Sequence, residues 1–366
     1  MCTALRRISK MTKQEIKLAN LNTLADYQEK LCKEPQLRQL FFELTLRCNE
    51  ACFHCGSSCA ANRPDGLPLE KLKEILDEVK QNFGTGVKIA LTGGEPLLYP
   101  DFFAFTEYIH QQGFRWGMTS NATLITKEVA ERLRDTGMNG ISVSIDGLQE
   151  THDRYRNYPG GYEQAMAGLQ NLIDCGGIDA IMVTTVVNHE NIREIPALFD
   201  IFDHMDINEW RLTGIEPIGR ALNFPKMLLT PDDNRWLMEY IKKKREQKYP
   251  VEYSCCHFLG LDYEAEVRDW YFLCNAGVYV AAIMENGDVG ACLDIPRNST
   301  SVQGNVLQDP FTKIWKERFQ FYRTPLSDRN ETCKNCPEKR FCRGGSYHSW
   351  NFEKEEPRVC FKDVLF

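Results

Sequence analysis

The run L-F-F-E-L-T-L-R-C-N-E-A-C-F-H-C-G-S-S-C, Leu40 to Cys59, carries two signals in succession. Residues 40–46 are apolar and read as a buried strand. The stretch after them sets Cys48, Cys52 and Cys55 at a C-x3-C-x2-C spacing on one short loop. Three soft thiolates there can hold three corners of a cubic iron–sulfur cluster, which leaves the fourth iron open. A closed tetrahedral zinc site with Cys59 as fourth ligand is the competing reading. Zinc ligands more often come as two separated C-x2-C pairs, whereas these cysteines crowd one loop. Phe53 and His54 read as packing residues beside the thiolates.

Outward from this loop, short apolar runs alternate with amphipathic ones. Strands are expected over 40–45, 87–92, 114–120, 141–146, 180–187 and 209–215. Helical patterns fill 69–83, 102–112, 127–136, 162–174, 192–205 and 231–248, the last capped by Thr230 or Asp232. Such alternation gives an α/β fold with a parallel sheet, open or partly closed as a barrel. Chemistry in these folds sits at the carboxyl ends of the strands. Each unusual motif falls there: the Cys loop after the first strand, T-G-G-E-P after the second, S-N after the third and S-I-D-G in the fourth. The alternation stops near 250, which divides the chain into a lead-in (1–39), an α/β domain (40–250) and a Cys-rich domain (251–366). Residues 12–33 look helical but carry no motif.

Composition excludes several classes. The chain has 366 residues, 43% hydrophobic and 26% charged, as a globular protein does. Its formal net charge of -7 argues against nucleic-acid binding. No apolar run reaches the length of a membrane span, and residues 1–30 hold no secretory signal. The cysteines number 15, an odd count clustered at 48–59, 255–292 and 333–360. With no export signal, that pattern points to metal binding in a reducing, anaerobic cytoplasm rather than to disulfides.

In Thr92-Gly93-Gly94-Glu95-Pro96 two glycines allow close approach of the backbone to a ligand, with amides able to bind it. Glu95 can meet a ligand's ammonium group. With the Cys loop, this resembles the radical S-adenosylmethionine (SAM) enzymes. Their C-x3-C-x-Φ-C signature places a ring residue where His54 stands, and their G-G-E-P element matches Gly93, Gly94, Glu95 and Pro96. M-T-S-N-A-T-L (Met118–Leu124), S-V-S-I-D-G (Ser142–Gly147), H-D-x-x-R (His152, Asp153, Arg156) and E-P-I-G-R-A (Glu216–Ala221) extend the likeness over 40–220.

The resemblance implies a partial (β/α)6 TIM-like barrel and a [4Fe-4S] cluster on Cys48, Cys52 and Cys55. The open iron of that cluster would chelate SAM, and one electron would cleave it to a 5′-deoxyadenosyl radical. Glu95 would complement the SAM ammonium and Arg156 a carboxylate. Asn121, Ser144 and Asp146 would bond its ribose or carboxylate, although an Asp-Gly turn explains Asp146 equally well.

The C-terminal cysteines resemble the SPASM extension of these enzymes, which holds two auxiliary clusters. Cys333, Cys336, Cys342 and Cys360 would ligate the outer one, with a zinc site as the competing reading. Cys274 and Cys292 would serve the inner one, with Cys255 and Cys256 as further sources. The pattern's remaining cysteine is replaced by Ser346. The inner cluster would then take a serine oxygen, keep an open iron, or be reduced or absent. A cluster with one non-cysteine position is the favoured form. Cys2, Cys32 and Cys175 belong to no motif, Cys59 stays unassigned, and no catalytic acid or base is evident.

SPASM enzymes mostly act on peptides and proteins, so the expected reaction is oxidative modification or crosslinking of a ribosomally made peptide. Residues 1–39 are too few for a recognition domain, which places leader binding on a separate protein or another surface. An electron donor such as flavodoxin or ferredoxin is a further implied partner. The alternatives are oxidative decarboxylation of a tetrapyrrole, a sulfatase-maturase-like protein oxidase, and a zinc- or cluster-bearing binding protein without catalysis.

Overall fold

The computed structural model describes residues 11–254 and 257–366, so Cys2, Cys255 and Cys256 lie outside the described residues. Helix α1 (Lys13–Lys33) opens the chain, fixed by a capping box between Thr12 and Glu15. Strand β1 (Gln39–Glu43) follows, with Leu40 and Phe42 buried. Five β/α steps come next: α2 (Leu69–Phe83), β2 (Lys88–Thr92), α3 (Phe102–Gln111), β3 (Trp116–Ser120), α4 (Lys127–Asp135) and β4 (Met138–Ser144). Then come α5 (Gln149–Arg156), α6 (Gly161–Cys175), β5 (Ala180–Val187), α7 (Ile195–Phe202), β6 (Glu209–Gly214) and α8 (Pro231–Glu246). Thr230, not Asp232, is the α8 cap. The H-D-x-x-R motif, expected only as a motif, forms a helix of its own, α5. Helix α7 starts later than expected, because a 3-10 turn (Ile192–Glu194) precedes it and Pro196 lies in its first turn.

The sheet does not stop at 250. Strand β7 (Val251–Tyr253) pairs in parallel with β6. After α9 (Gly260–Tyr263), β8 (Val280–Ile283) pairs in parallel with the other edge, on β1. Strands β9 (Asp288–Gly290) and β10 (Gly304–Asn305) continue outward, antiparallel. Among the described residues ten strands thus form one sheet, ordered β10-β9-β8-β1-β2-β3-β4-β5-β6-β7. Helices α10 (Phe311–Glu317), α11 (Glu331–Lys334) and α12 (Lys339–Cys342) complete the C-terminal region.

Residues alternate in burial along the strands, as β5 shows. Ile181, Val183, Thr185 and Val187 are buried beneath the helices, while Met182, Thr184 and Val186 are half-buried on the other face. That face borders a cavity of about 520 Å³ with Phe41, Ala90, Gly117, Gly140, Met182 and Arg211 in its lining. The half-open interior is that of a partial barrel. No helix among the described residues is long and apolar enough to cross a membrane.

Candidate active site

The Cys loop leaves β1 and closes on itself. The Cys48 amide donates to the Ala60 carbonyl at 3.2 Å, and Ala60 returns a bond to Leu46 at 3.2 Å. The motif after β6 grips the loop from one side. Arg220 donates from Nε to the Cys52 carbonyl at 2.7 Å and from Nη1 to the Cys59 carbonyl at 2.6 Å. Its own amide bonds the Cys55 carbonyl at 3.1 Å. From the other side, the Ala51 and Phe53 amides donate to the last carbonyls of α5, on Arg156 and Tyr155.

Two of the loop sulfurs receive backbone N–H donors. The Glu50 amide points at Cys48 Sγ from 3.4 Å, and the Cys59 amide at Cys55 Sγ from 3.3 Å. Such N–H donors stabilise thiolate charge and tune clusters. A hydrogen bond from the Cys59 thiol, against burial and with help from Arg220, brings the Cys55 thiol down to about 6. Burial pushes Cys48 up to about 12.

The G-G-E-P element crosses directly over this loop. A Cβ on Gly94 would lie 2.0 Å from the Arg47 carbonyl oxygen and 3.0 Å from Cys48 Cβ. One on Gly93, whose φ is +145°, would lie 2.2 Å from the Thr45 carbonyl oxygen. The amides of Gly94 and Glu95 are spent on the Thr45 and Arg47 carbonyls, at 2.7 and 2.9 Å. Of the two glycine amides expected to bind a ligand, that of Gly94 is thus taken, and both glycines admit the Cys loop itself. Pro96 opens a 3-10 turn behind them, capped by Glu95.

Glu95 is fully buried. Its carboxylate accepts from the Ser120 hydroxyl at 3.0 and 3.1 Å and from the Asn121 amide at 2.9 Å, all neutral donors. Burial pushes it up to about 7 against these bonds. A buried carboxylate held by neutral donors is a ready site for a cationic ligand group. Asn121 joins the parts: its side chain reaches Asn49 at 2.9 Å and Cys48 Sγ at 3.9 Å. Ser144 ends β4, paired in register with Thr184.

Arg156, expected to meet a SAM carboxylate, is already bound by carboxylates of the protein. Its guanidinium is buried and donates to Asp146 Oδ2 at 2.7 and 2.9 Å and to Glu50 Oε2 at 2.7 Å. Asp146 is spent as well, on Arg156, on the Val186 amide at 2.9 Å and on His54 Nε2 at 3.3 Å. Burial raises the Asp146 pKa, but Arg156, His54 and His152 outweigh it and hold the carboxyl at about 2. The pair is the buried ionic floor of the site, and His54 is part of it. Sequence reasoning gave Glu50 no role and met Arg220 only within the E-P-I-G-R-A motif; their partners come from distant elements, which spacing does not show.

In the C-terminal region Cys333, Cys336, Cys342 and Cys360 all line one cavity. Burial foremost, with the other three sulfurs nearby, pushes Cys342 up to about 12. Cys274 and Cys292 gather elsewhere, about the buried Tyr322 phenol, whose pKa burial and both thiols raise. Ser346 is buried between Gly345 and Tyr347, which line a cavity together with Cys274 and Cys32. Arg297 joins the two regions by binding Glu43 at 2.6 Å, at the end of β1, and Glu285 at 2.8 Å.

Residues 42–202 match the family model of the radical SAM superfamily, and residues 274–337 that of the SPASM iron–sulfur cluster-binding domain. The mycofactocin maturase of Mycobacterium tuberculosis is 30% identical over 84% of this chain and 77% of its own length. This chain belongs to the radical SAM superfamily and carries a SPASM domain. The AdoMet-dependent heme synthase of Methanosarcina barkeri is 28% identical over 89% of this chain and 97% of its own. Among solved structures, SuiB of Streptococcus suis bound to S-adenosylmethionine matches with a TM-score of 0.71 at 20% identity, covering 90% of this chain and 77% of its own. The protein is therefore an enzyme of the radical SAM class. Its cofactors are SAM, a [4Fe-4S] cluster at the SAM site and auxiliary iron–sulfur clusters.

Proposed function

We propose that this radical SAM enzyme oxidatively modifies or crosslinks a ribosomally made peptide. The observation that carries the reading is the 30% identity, over 84% of this chain, to the mycofactocin maturase. A solved neighbour, SuiB, has been captured with its precursor peptide, which supports the same reading.

In this proposal Cys48, Cys52 and Cys55 hold the SAM-site cluster. When bound, that cluster supplies the electron that cleaves SAM and yields the hydrogen-abstracting 5′-deoxyadenosyl radical. Glu95 receives the SAM ammonium, and Asn121 and Ser144 orient the rest. Arg220 and the Gly93–Gly94 crossing fix the loop, while the Arg156–Asp146–Glu50 floor closes it from water. Cys333, Cys336, Cys342 and Cys360 hold the outer auxiliary cluster, and Cys274 and Cys292 serve the inner one. We place the barrel at 40–250 and the SPASM part at 251–366. The work would take place in an anaerobic cytoplasm, with a flavodoxin or ferredoxin as donor and a separate protein for leader recognition.

Decarboxylation of a tetrapyrrole is the second reading, favoured by the near-complete alignment with the heme synthase. Reconstituted enzyme, SAM and dithionite should give 5′-deoxyadenosine and methionine, and failure to do so would sink both readings. Mass spectrometry of short peptides encoded beside the gene should show loss of hydrogen. Release of carbon dioxide from iron-coproporphyrin, with no change in any peptide, would establish the second reading instead.

A further inference from the structure

Helix α1 ends against the half of the SPASM region that lacks a cysteine. Cys32 lies in its last turn. The side chain lines a small cavity together with Cys274, Arg343, Gly345 and Tyr347. Gly345 and Tyr347 flank Ser346, which stands where the SPASM pattern has its missing thiolate. Cys342 lines the cavity as well, so three sulfurs border the space that holds the buried Tyr347 ring.

The position of Cys32 is fixed from both sides. Leu31 packs on Val278 and Tyr279, just beyond Cys274. The chain leaving α1 bonds the same turn, through the Gln36 amide to Val278 at 2.9 Å and the Arg38 amide to Tyr279 at 2.8 Å. Arg343 Nη2 donates to Cys32 Sγ from 3.4 Å.

We propose that Cys32 is a thiolate ligand of the inner auxiliary cluster, joining Cys274 and Cys292 where Ser346 offers only a hydroxyl. The assignment rests on the reading that this enzyme carries an inner cluster. Thiolate is the softer donor and the better match to iron–sulfur sites, so a sulfur that shares the Cys274 cavity takes precedence over the serine oxygen. The N-terminal helix, which has no cluster motif of its own, then becomes a structural part of the SPASM region.

The test compares anaerobically reconstituted wild-type enzyme with Cys32→Ser and Cys32→Ala, by iron and sulfide per chain and by electron paramagnetic resonance. Both variants should lose about one cluster's worth of iron and an auxiliary signal, while the SAM-perturbed signal persists. Wild-type iron and an unchanged auxiliary spectrum in both variants would overturn the ligand assignment alone. Iron for only two clusters in the wild type would overturn the inner-cluster reading, and the assignment with it. Alkylation of intact wild type guards against misfolded variants. Cys32 should resist iodoacetamide until iron is chelated, with Cys175 labelled equally before and after. Equal labelling of Cys32 in both states would also overturn the proposal.

Discussion

Arg220 donates to the carbonyl of Cys52 across 2.7 Å, so the loop after the sixth strand holds the loop that leaves the first. A second bond reaches Cys59 at 2.6 Å. Hydrogen bonds from a charged donor contribute about 1.5–3 kcal/mol each. Arg220→Ala should therefore lower stability by roughly 3 kcal/mol and leave the SAM-site cluster underloaded. Arg220→Lys should restore part of both. Thermal melting and iron per chain check this; a fully loaded, equally stable alanine variant would contradict it.

Gly94→Ala should be severe for a reason internal to the protein. The new Cβ would meet the Arg47 carbonyl oxygen at 2.0 Å, a backbone atom that cannot swing aside. Overpacking of this kind costs about 1–3 kcal/mol, and here it also displaces the loop that carries Cys48. Gly86→Ala is the control, because nothing lies within 4 Å of its Cβ position. That variant should stay within about 0.5 kcal/mol of the parent in urea unfolding. Equal behaviour of the two would refute the crossing as the reason for Gly94.

These two cases show what spacing can carry. C-x3-C-x2-C and G-G-E-P were legible because each is a local constellation at a strand end. The six barrel strands were legible from alternation. What Arg156 meets was not, because Glu50 and Asp146 reach it from two different strand ends. Strand β7, three residues between Pro250 and Ser254, is too short to show a period. The parallel pairing of β8 with β1 joins distant segments, and no local pattern encodes it. The place of Cys32 against the 274–280 turn is hidden for the same reason.

Asp146 makes the floor of the site sensitive to acid. Its carboxyl ionises at about 2 in the fold, against an ordinary 3.8. A depressed carboxylate stabilises the fold above the unfolded value, and that contribution is lost as pH falls from about 4 to about 2. The loss is on the order of 2 kcal/mol. Asp146→Asn should remove this acid dependence, and it should destabilise the fold by roughly 3 kcal/mol at pH 7 because Arg156 loses one of two buried partners. Urea midpoints across pH 2.5–7 read both effects. An unaltered acid limb in the variant would show that Asp146 is not its source.

Glu43 has the opposite sign, and it sits where the barrel meets the SPASM region. Burial, and a hydrogen bond shared with Glu285, push its carboxyl from 4.5 up to about 7, while Arg297 opposes them. Between those values the fold holds a proton that the unfolded chain has released. The stabilisation is complete below about 4.5 and declines as pH rises through about 7, by on the order of 3 kcal/mol. Glu43→Gln keeps the shape without the charge and should flatten this slope between pH 5 and 8. Arg297→Gln should steepen it, because the guanidinium no longer offsets two buried carboxylates. Unfolding midpoints at pH 5, 6.5 and 8 distinguish the outcomes. A wild-type midpoint that rises across this range would mean that Arg297, not the shared proton, governs the contact between β1 and the SPASM strands.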